Sequence, residues 1–419
     1  MTAHKIRDIK LAPKGVLNIA WAEQDMQALL KVRQEFARTR PFRGVRVGMA
    51  LHITKETAVL VRTLITGGAE VAICSCNPLS TQDDVAAALA CDGVRVYGYK
   101  GESKAEYYEY LNDVIEFKPQ ITIDDGCDLV SEIHGKYPRL IPDIIGGCEE
   151  TTTGVIRLRA MAKDGALKYP IIAVNDNKTK HLMDNYYGTG QSTIDGLLRA
   201  ANILFAGKTV VVAGYGSCGK GVAMRAAGLG SQVIVTEVDA FCALQARMDG
   251  FQVMPMRDAA PLGDIFVTVT GNKAVIPGPV IARMKDGAIL ANAGHFDNEI
   301  DMPALRKAVR KVTRVRDSIF DRYELRNGKS VYLAGEGRLV NLACAEGHPS
   351  MVMSLSFCGQ ALAALHLIRN RGRLLPGVIT LPAAIDDRIA ALQLEAMGIR
   401  IDTLTAAQRR YLDSWSEGT

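Results

Sequence analysis

The sequence is poor in the features that mark several whole classes of protein. Its 419 residues hold no stretch of about 18 uninterrupted apolar residues, the length a helix needs to cross a bilayer. The longest candidate, Met351–Ile368, is broken by Ser354, Ser356, Gln360 and His366 and reads as a core helix. The N-terminal "MTAHKIRDIKLAPKG" lacks the apolar run of a secretory leader. Charge is nearly balanced, 50 Lys plus Arg against 45 Asp plus Glu, with no basic block or arm. Neither a nucleic-acid partner nor a membrane is therefore expected. Nine cysteines, odd in number and scattered, do not suggest a disulfide framework. Cys74 and Cys76 are too close together for an easy zinc pair, and no second pair follows, so no metal is expected. These absences point to a reducing, cytoplasmic setting. No repeat of fixed period and no low-complexity segment occurs.

What is present is a strand-and-helix alternation. Hydrophobic residues make up 48% of the chain, enough for a full core. "VRVGMAL" precedes a helical pattern over Thr54–Ile65, "AEVAICS" precedes "TQDDVAAALA", and "VRVYGY" precedes "KAEYYEYLNDVIEF". "QITIDD" precedes "LVSEIHGKY", and "PIIAVN" follows. A second series begins near Thr209: "TVVVAG", "QVIVTEVD", "FQVMPM", "DIFVTVTG" and "GAILANAG". Continuous β-rich runs alternating with helices imply parallel sheets covered on both faces. The expected fold class is α/β: two doubly wound parallel-sheet units, joined around 175–200 and again near 340–350, plus a helical, polar C-terminal tail.

"VVVAGYGSCGKGVA" places Gly214, Gly216 and Gly219 in a G-x-G-x-x-G turn after a β-run and before a helical pattern. The first glycine permits a tight turn, the second lets backbone approach a pyrophosphate, and the third lets helix and strand pack closely. Glu237 lies 18 residues beyond Gly219, placed to bind ribose hydroxyls and to repel a 2′-phosphate. A Rossmann domain for NAD rather than NADP is the expectation.

Three further clusters carry chemistry. "TIDDGCD" ends a strand with Asp124 and Asp125, where ligands bind in an open α/β sheet, or where Asp caps a helix. "GGCEETTTGV" gathers Glu149, Glu150 and Thr151–Thr153, which either line a polar site or cap a helix. "NDNKTKHLMDN" sets Lys180 and Asp184 four apart; spacing alone favours a surface salt bridge. His52, His295 and His348 each follow a β-run or a small-residue turn, and each could equally be a satisfied core histidine.

Together these segments resemble the adenosylhomocysteinase family, NAD-dependent hydrolases of S-adenosyl-L-homocysteine. The resemblance runs from "DIKLAPKG" to "LTAAQRRYLDSW". It is most specific in "ALHITKETAVL", "CNPLSTQDD", "EETTTGV", "DNYYGTGQSTIDG", "GYGSCGKG", "NAGHFDNEID" and "EGRLVNLACAEGHPS". It implies residues 1–185 as a substrate-binding domain completed by about 347–385, residues 190–346 as the NAD domain, and 386–419 as an oligomerisation tail. A homotetramer, or a dimer, is implied. The implied reaction oxidises the ribose 3′-hydroxyl transiently, removes the C4′ proton, expels the 5′ thiol and adds water.

By the same resemblance Lys180 and Asp184 act at the 3′-hydroxyl, with a lowered lysine pKa, and Glu150 binds the ribose hydroxyls. Asn185 stands near the nicotinamide. Asp125 and His52 serve as acid and base at C4′ and C5′, and His295 orients or stabilises the reaction centre. Thr54, Glu56, His348 and Met353 line the nucleoside pocket. Thr151, Thr152, Thr153, Asn185, Gly216, Glu237, Thr270, Gly271, Asn272, Ala293 and Asn341 contact NAD.

The chain departs from the family pattern at several points. Thr189 stands where many members have cysteine, Asp84 replaces a histidine, Glu346 a methionine and Cys127 a glycine. The chain stops after "YLDSWSEGT", without the Lys- and Tyr-containing tail that caps a neighbour's cofactor in longer members. These features match a short form of the family, in which purine preference varies. The competing expectations are the same chemistry on S-inosylhomocysteine, a nucleoside dehydratase that stops at the alkene, a catalytically silent NAD-binding regulator, and a plain NAD dehydrogenase of a hydroxy acid.

Overall fold

The structure, a computed structural model, describes residues 4–416. After two N-terminal helices the chain lays down β1 (Arg46–Ala50), β2 (Glu70–Cys74), β3 (Arg95–Tyr97), β4 (Ile121–Asp124), β5 (Gly146–Glu149) and β6 (Pro170–Ala173). It then passes through Thr179–Gly188 and the helix Thr189–Ala201 into a second series. That series is β7 (Thr209–Ala213), β8 (Gln232–Thr236), β9 (Gln252–Val253), β10 (Ile265–Thr268), β11 (Ala288–Asn292), β12 (Val309–Arg316), β13 (Phe320–Leu325) and β14 (Ser330–Ala334). The long helix Ser350–Arg369 leads back to β15 (Gly377–Ile379).

The first sheet has the order β15-β6-β5-β4-β1-β2-β3 and is parallel throughout. The order reverses between β1 and β4, so their carboxyl ends open a crevice for a ligand. Buried clusters lie on both faces. One, including Met49, Leu60, Ile73 and Phe357, packs the Ser350–Arg369 helix; the other includes Leu111, Ile133 and Tyr169. Ser350–Arg369 is long and apolar enough to cross a membrane, but its side chains are mostly buried inside the fold.

The second sheet has the order β12-β13-β14-β11-β10-β7-β8-β9, with its own reversal between β7 and β10. Cores again cover both faces, one around Val210, Val212 and Val267, the other around Val211, Phe266 and Leu290. The fold class is as expected, and two details refine it. "FQVMPM" contributes only the two-residue β9. The sheet is also not purely parallel: β12, β13 and β14 pair antiparallel. β12, "VRKVTRVR", is exposed along nearly its whole length, so it shows no continuous apolar run. Its Lys and Arg side chains protect an open edge from pairing with another chain.

The expected start of the tail at 386 falls inside a helix, Ala383–Ala396, that packs on the first sheet's unit with Ile389 fully buried. Asp386 accepts from the backbone N–H of Lys178 (2.6 Å) and Thr179 (3.2 Å) and from the Thr179 hydroxyl. It therefore anchors the start of the segment that carries Lys180. The exposed C-terminal stretch begins only beyond this helix.

Candidate active site

The two crevices face each other across a cavity of about 750 Å³. Every residue singled out above as catalytic, substrate-binding or cofactor-binding lines it, except Gly219. Gly219 acts from behind the wall. A Cβ there would lie 2.0 Å from the Gly214 carbonyl oxygen, so only glycine lets the Ser217–Gly228 helix approach β7 this closely. Gly214 adopts φ of 104° at the turn, and Gly216, Ser217 and Cys218, at the N-terminus of the helix, line the cavity, where unpaired N–H groups favour an anion.

Glu237 follows β8 beside this turn. Its carboxylate accepts from the N–H of Tyr215 (2.6 Å) and Val238 (2.7 Å). Behind the loop after β10, the buried Glu299, which was not singled out, accepts from Thr270 N–H (2.9 Å), Thr270 Oγ1 (2.7 Å) and Gly271 N–H (2.7 Å). It fixes the loop after β10; its signal in the sequence was an acidic residue inside "NAGHFDNEID". Asn341 Oδ1 is buried without a partner among the described residues, while Asn341 Nδ2 donates to Ser192 Oγ at 3.2 Å. An unpaired amide oxygen on a cavity wall, a helix N-terminus and a carboxylate at the ribose position fit NAD: carboxamide, pyrophosphate and adenosine ribose each find a complement.

Lys180, Asp184 and Asn185 lie on a ten-residue π-helix, Thr179–Gly188. Its wider turn brings positions i, i+4 and i+5 to one face, and such turns are frequent at functional sites. Lys180 Nζ lies 3.2 Å from Asp184 Oδ2, 3.7 Å from Glu150 Oε1 and 2.6 Å from Asn185 Oδ1. The pair is not on the surface: Lys180 is 5% exposed and Asp184 1%. Nor is the lysine pKa lowered. Burial does push it down, but Asp184 and Glu150 push further up, and the ammonium is held well above its ordinary value. Burial likewise opposes ionisation of Asp184, yet His348 and Lys180 outweigh it and hold the carboxylate well below the usual range. His348 Nδ1 is 2.6 Å from Asp184 Oδ1, so in this structure it braces the π-helix as well as lining the cavity. Burial raises Glu150 to about 7, with Lys180 opposing.

Glu150 receives hydrogen bonds from Ser356 and Gln360 of the long helix. In the sequence these two stand only as breaks in an apolar run. Four apart on one face of a buried helix, they signal a shared polar partner. Glu56 is held similarly, by Ser350 Oγ at 2.8 Å and Lys55 Nζ at 3.5 Å. Lys55 in turn meets Glu346 at 2.8 Å, and Glu346 meets Arg199 at 3.0 Å.

Across the cavity, His52 follows β1 and Asp125 follows β4. His52 Nε2 is 3.4 Å from Asp125 Oδ2, and His295 Nδ1, arriving from beyond β11, is 3.4 Å from Asp125 Oδ1. Gly126 makes room for this meeting: it has φ of 108°, and a Cβ would lie 2.2 Å from His295 Nε2. Cys127 also adopts a left-handed φ of 67°, a conformation that costs an L-residue roughly 1–2 kcal/mol. Burial lowers the His52 pKa to about 4, only partly offset by Asp125, so the imidazole is neutral near pH 7. Behind Asp125 sit Asp124, raised to about 7 by burial, and Glu149, raised by burial and by both aspartates. Glu149 accepts from Gly126 N–H at 2.9 Å and Thr151 N–H at 3.0 Å, which ties the turn after β4 to the threonine run.

The fold and this site define an NAD-binding α/β enzyme in which the cofactor shares a cavity with a second, acid–base-equipped pocket. Residues 185–347 match the family model "S-adenosyl-L-homocysteine hydrolase, NAD binding domain", and residues 3–137 match "S-adenosyl-L-homocysteine hydrolase". The chain belongs to the S-adenosyl-L-homocysteine hydrolase family. It is 57% identical to the S-inosyl-L-homocysteine hydrolase of Methanocaldococcus jannaschii, over 99% of this chain and 100% of that one. It is 55% identical to the adenosylhomocysteinase of Aquifex aeolicus, over 99% of each. It is 54% identical to that of Thermosynechococcus vestitus, over 99% of this chain and 97% of the other.

Proposed function

We propose that the protein hydrolyses S-adenosyl-L-homocysteine to adenosine and homocysteine. The observation that carries this reading is one cavity holding two opposed sets of groups: Lys180, Asp184 and Glu150 on one wall, and His52, Asp125 and His295 on the other. Held by Gly216, Glu237, Thr270 and Asn341, NAD would supply the hydride acceptor for ribose C3′. Glu150 accepts from a ribose hydroxyl, and Lys180, oriented by Asp184, handles the proton on the 3′-oxygen. Lys180 starts as an ammonium, so it must first release a proton. With C3′ a ketone, the C4′ hydrogen is acidic; Asp125 and the neutral His52 remove it, protonate the departing sulfur and later deprotonate the water that adds at C5′. His295 orients Asp125. The pocket of Thr54, Glu56, His348 and Met353 takes the purine, and the threonine run, Asn185, Asn272 and Ala293 line the cofactor's side.

A second reading, S-inosylhomocysteine as substrate, is favoured by the 57% identity to a protein of that name. The Glu56 carboxylate accepts a hydrogen bond, which an adenine 6-amino group supplies; hypoxanthine offers a 6-oxo acceptor and an N1–H donor instead. Comparing kcat/KM for the two thioethers separates the readings. We further propose 1–185 with about 347–385 as the substrate domain, 190–346 as the cofactor domain, and a homotetramer or dimer whose tail starts beyond Ala396. Exposed Leu17 and Trp21 near one end of the chain and Ile401, Leu412 and Trp415 near the other support self-association. Sedimentation velocity tests it. A reducing, cytoplasmic setting suits the nine unpaired thiols.

A further inference from the structure

His181 lines the cavity one residue beyond Lys180, yet nothing in the cycle outlined above uses it. From the π-helix it reaches the glycine turn of the second sheet. Its Nε2 is 2.9 Å from Oγ of Ser217, the first residue of the Ser217–Gly228 helix. The contact is fixed by the packing around it. The π-helix seats directly on the Ser217–Gly228 helix because Gly221 has no side chain: a Cβ there would lie 1.9 Å from the Tyr186 carbonyl oxygen. The Tyr186 hydroxyl donates to Met224 Sδ at 3.2 Å across the same seam.

The surroundings of the ring decide its charge. His181 Nδ1 is buried and has no partner among the described residues. Lys180 on its own helix, Lys220 on the Ser217–Gly228 helix and Asp176 in the turn after β6 all act on it. Asp176 is itself paired with Arg159 at 2.7 Å. Burial, Lys180 and Lys220 hold the imidazole pKa below its ordinary value, and Asp176 offsets them only in part. Left to the protein alone, the ring is neutral at neutral pH.

The cofactor reverses that balance. A helix N-terminus behind a glycine turn is where the negatively charged pyrophosphate of a dinucleotide sits. Opposite charge that close favours the imidazolium. A charged ring donates from both nitrogens, so Nε2 donates to Ser217 Oγ and the hydroxyl keeps its own proton for the phosphate. A neutral ring with Nε2 bare takes that proton instead.

We propose that His181 and Ser217 form a proton-linked clasp for the NAD pyrophosphate, in which the imidazole takes up a proton from solvent as the cofactor binds. The clasp rests on the cofactor cavity and not on the identity of the thioether. Because the loaded form holds the extra proton, NAD is held most tightly at low pH, and the grip loosens as pH rises through the pKa of the loaded ring.

NAD release from the holoenzyme, followed by exchange against excess labelled NAD, tests this. The wild type is expected to release NAD about tenfold faster at about pH 8.5 than at about pH 6. His181→Gln keeps a donor for Ser217 and cannot be charged. It should match the wild type within about twofold at about pH 8.5 and show no slope below it. Ser217→Ala should release NAD about tenfold faster than the wild type at the lower pH. A second readout needs no variant. Calorimetry of NAD rebinding to stripped enzyme at neutral pH, in buffers of different ionisation enthalpy, should show net proton uptake. A flat wild-type release rate, a wild-type slope surviving in His181→Gln, an unchanged rate in Ser217→Ala, or no net proton uptake overturns the clasp. Normal turnover of the thioether alongside a flat release rate removes the clasp and leaves the hydrolase reading standing.

Discussion

The two sheets share a strand order around their switch points but use it differently. In the first, β3-β2-β1-β4-β5 places His52 after β1, Asp125 after β4 and Glu150 after β5. In the second, β9-β8-β7-β10-β11 places Gly214 after β7, Thr270 after β10 and Ala293 after β11. The first crevice offers side chains that titrate; the second offers glycine turns, backbone N–H groups and the Glu237 carboxylate. One topology thus makes an acid–base wall or a nucleotide cradle, depending on whether the turns carry ionisable side chains or glycine. The π-helix segment belongs to neither turn set. It joins the two sheets and brings Lys180 to the cavity between them.

The sharpest way to break this comparison is to disable the joining segment. Lys180→Met is expected to lower turnover by at least about 1,000-fold, with the circular dichroism spectrum and bound NAD retained; near-normal turnover removes its assigned role. Disabling the first crevice should stop the cycle midway instead. Asp125→Asn is expected to slow elimination by roughly 100- to 1,000-fold while substrate still reduces the bound nicotinamide, so the reduced-cofactor absorbance persists. Loss of that absorbance would place Asp125 before the oxidation step.

Disabling the second crevice should act on the cofactor alone. Gly219→Ala puts a Cβ 2.0 Å from the Gly214 carbonyl oxygen. The forced separation of helix and strand is expected to cost about 1–3 kcal/mol, read as a weaker NAD affinity by equilibrium dialysis; KM for substrate under saturating NAD should stay within about twofold. The joining lysine can also be probed by pH. Because neighbouring carboxylates raise its pKa, the amine is a minor form at neutral pH and its share grows about tenfold per pH unit. The single-turnover rate of nicotinamide reduction should therefore climb from about pH 7 to about pH 9; a plateau from pH 7 contradicts a lysine base. The smallest effect belongs to the bridge of Lys55, Glu346 and Arg199. Glu346 is largely exposed, so Glu346→Ala should cost less than about 1 kcal/mol by thermal melting.

Much of this arrangement was legible in the sequence, because strand-end turns announce themselves. "TIDDG", "AGYGSCG" and "EETTTG" each couple an apolar run to an abrupt change of residue type, and the strand alternation implied both sheets. Features that depend on what packs against a residue were not legible. Spacing alone made Lys180 and Asp184 a surface pair, since nothing local says that the Ser350–Arg369 helix covers them. The lowered lysine pKa that the resemblance implies has the opposite sign in the structure, because Asp184 and Glu150, the latter arriving from another strand, outweigh burial. β12 escaped notice because an exposed edge strand has no apolar face to display. The corner formed by His52, Asp125 and His295 assembles three strand ends that are distant in sequence, and no spacing pattern records that.

The central claim is that a hydride is borrowed from the substrate and returned within one turnover. Purified protein, mixed with S-adenosyl-L-homocysteine and a thiol-trapping reagent in the absence of added NAD, tests it most directly. The account predicts stoichiometric free thiol and adenosine, with a reduced-nicotinamide signal that rises and decays within the turnover. Steady accumulation of reduced nicotinamide, or no thiol when NAD is supplied, would contradict it.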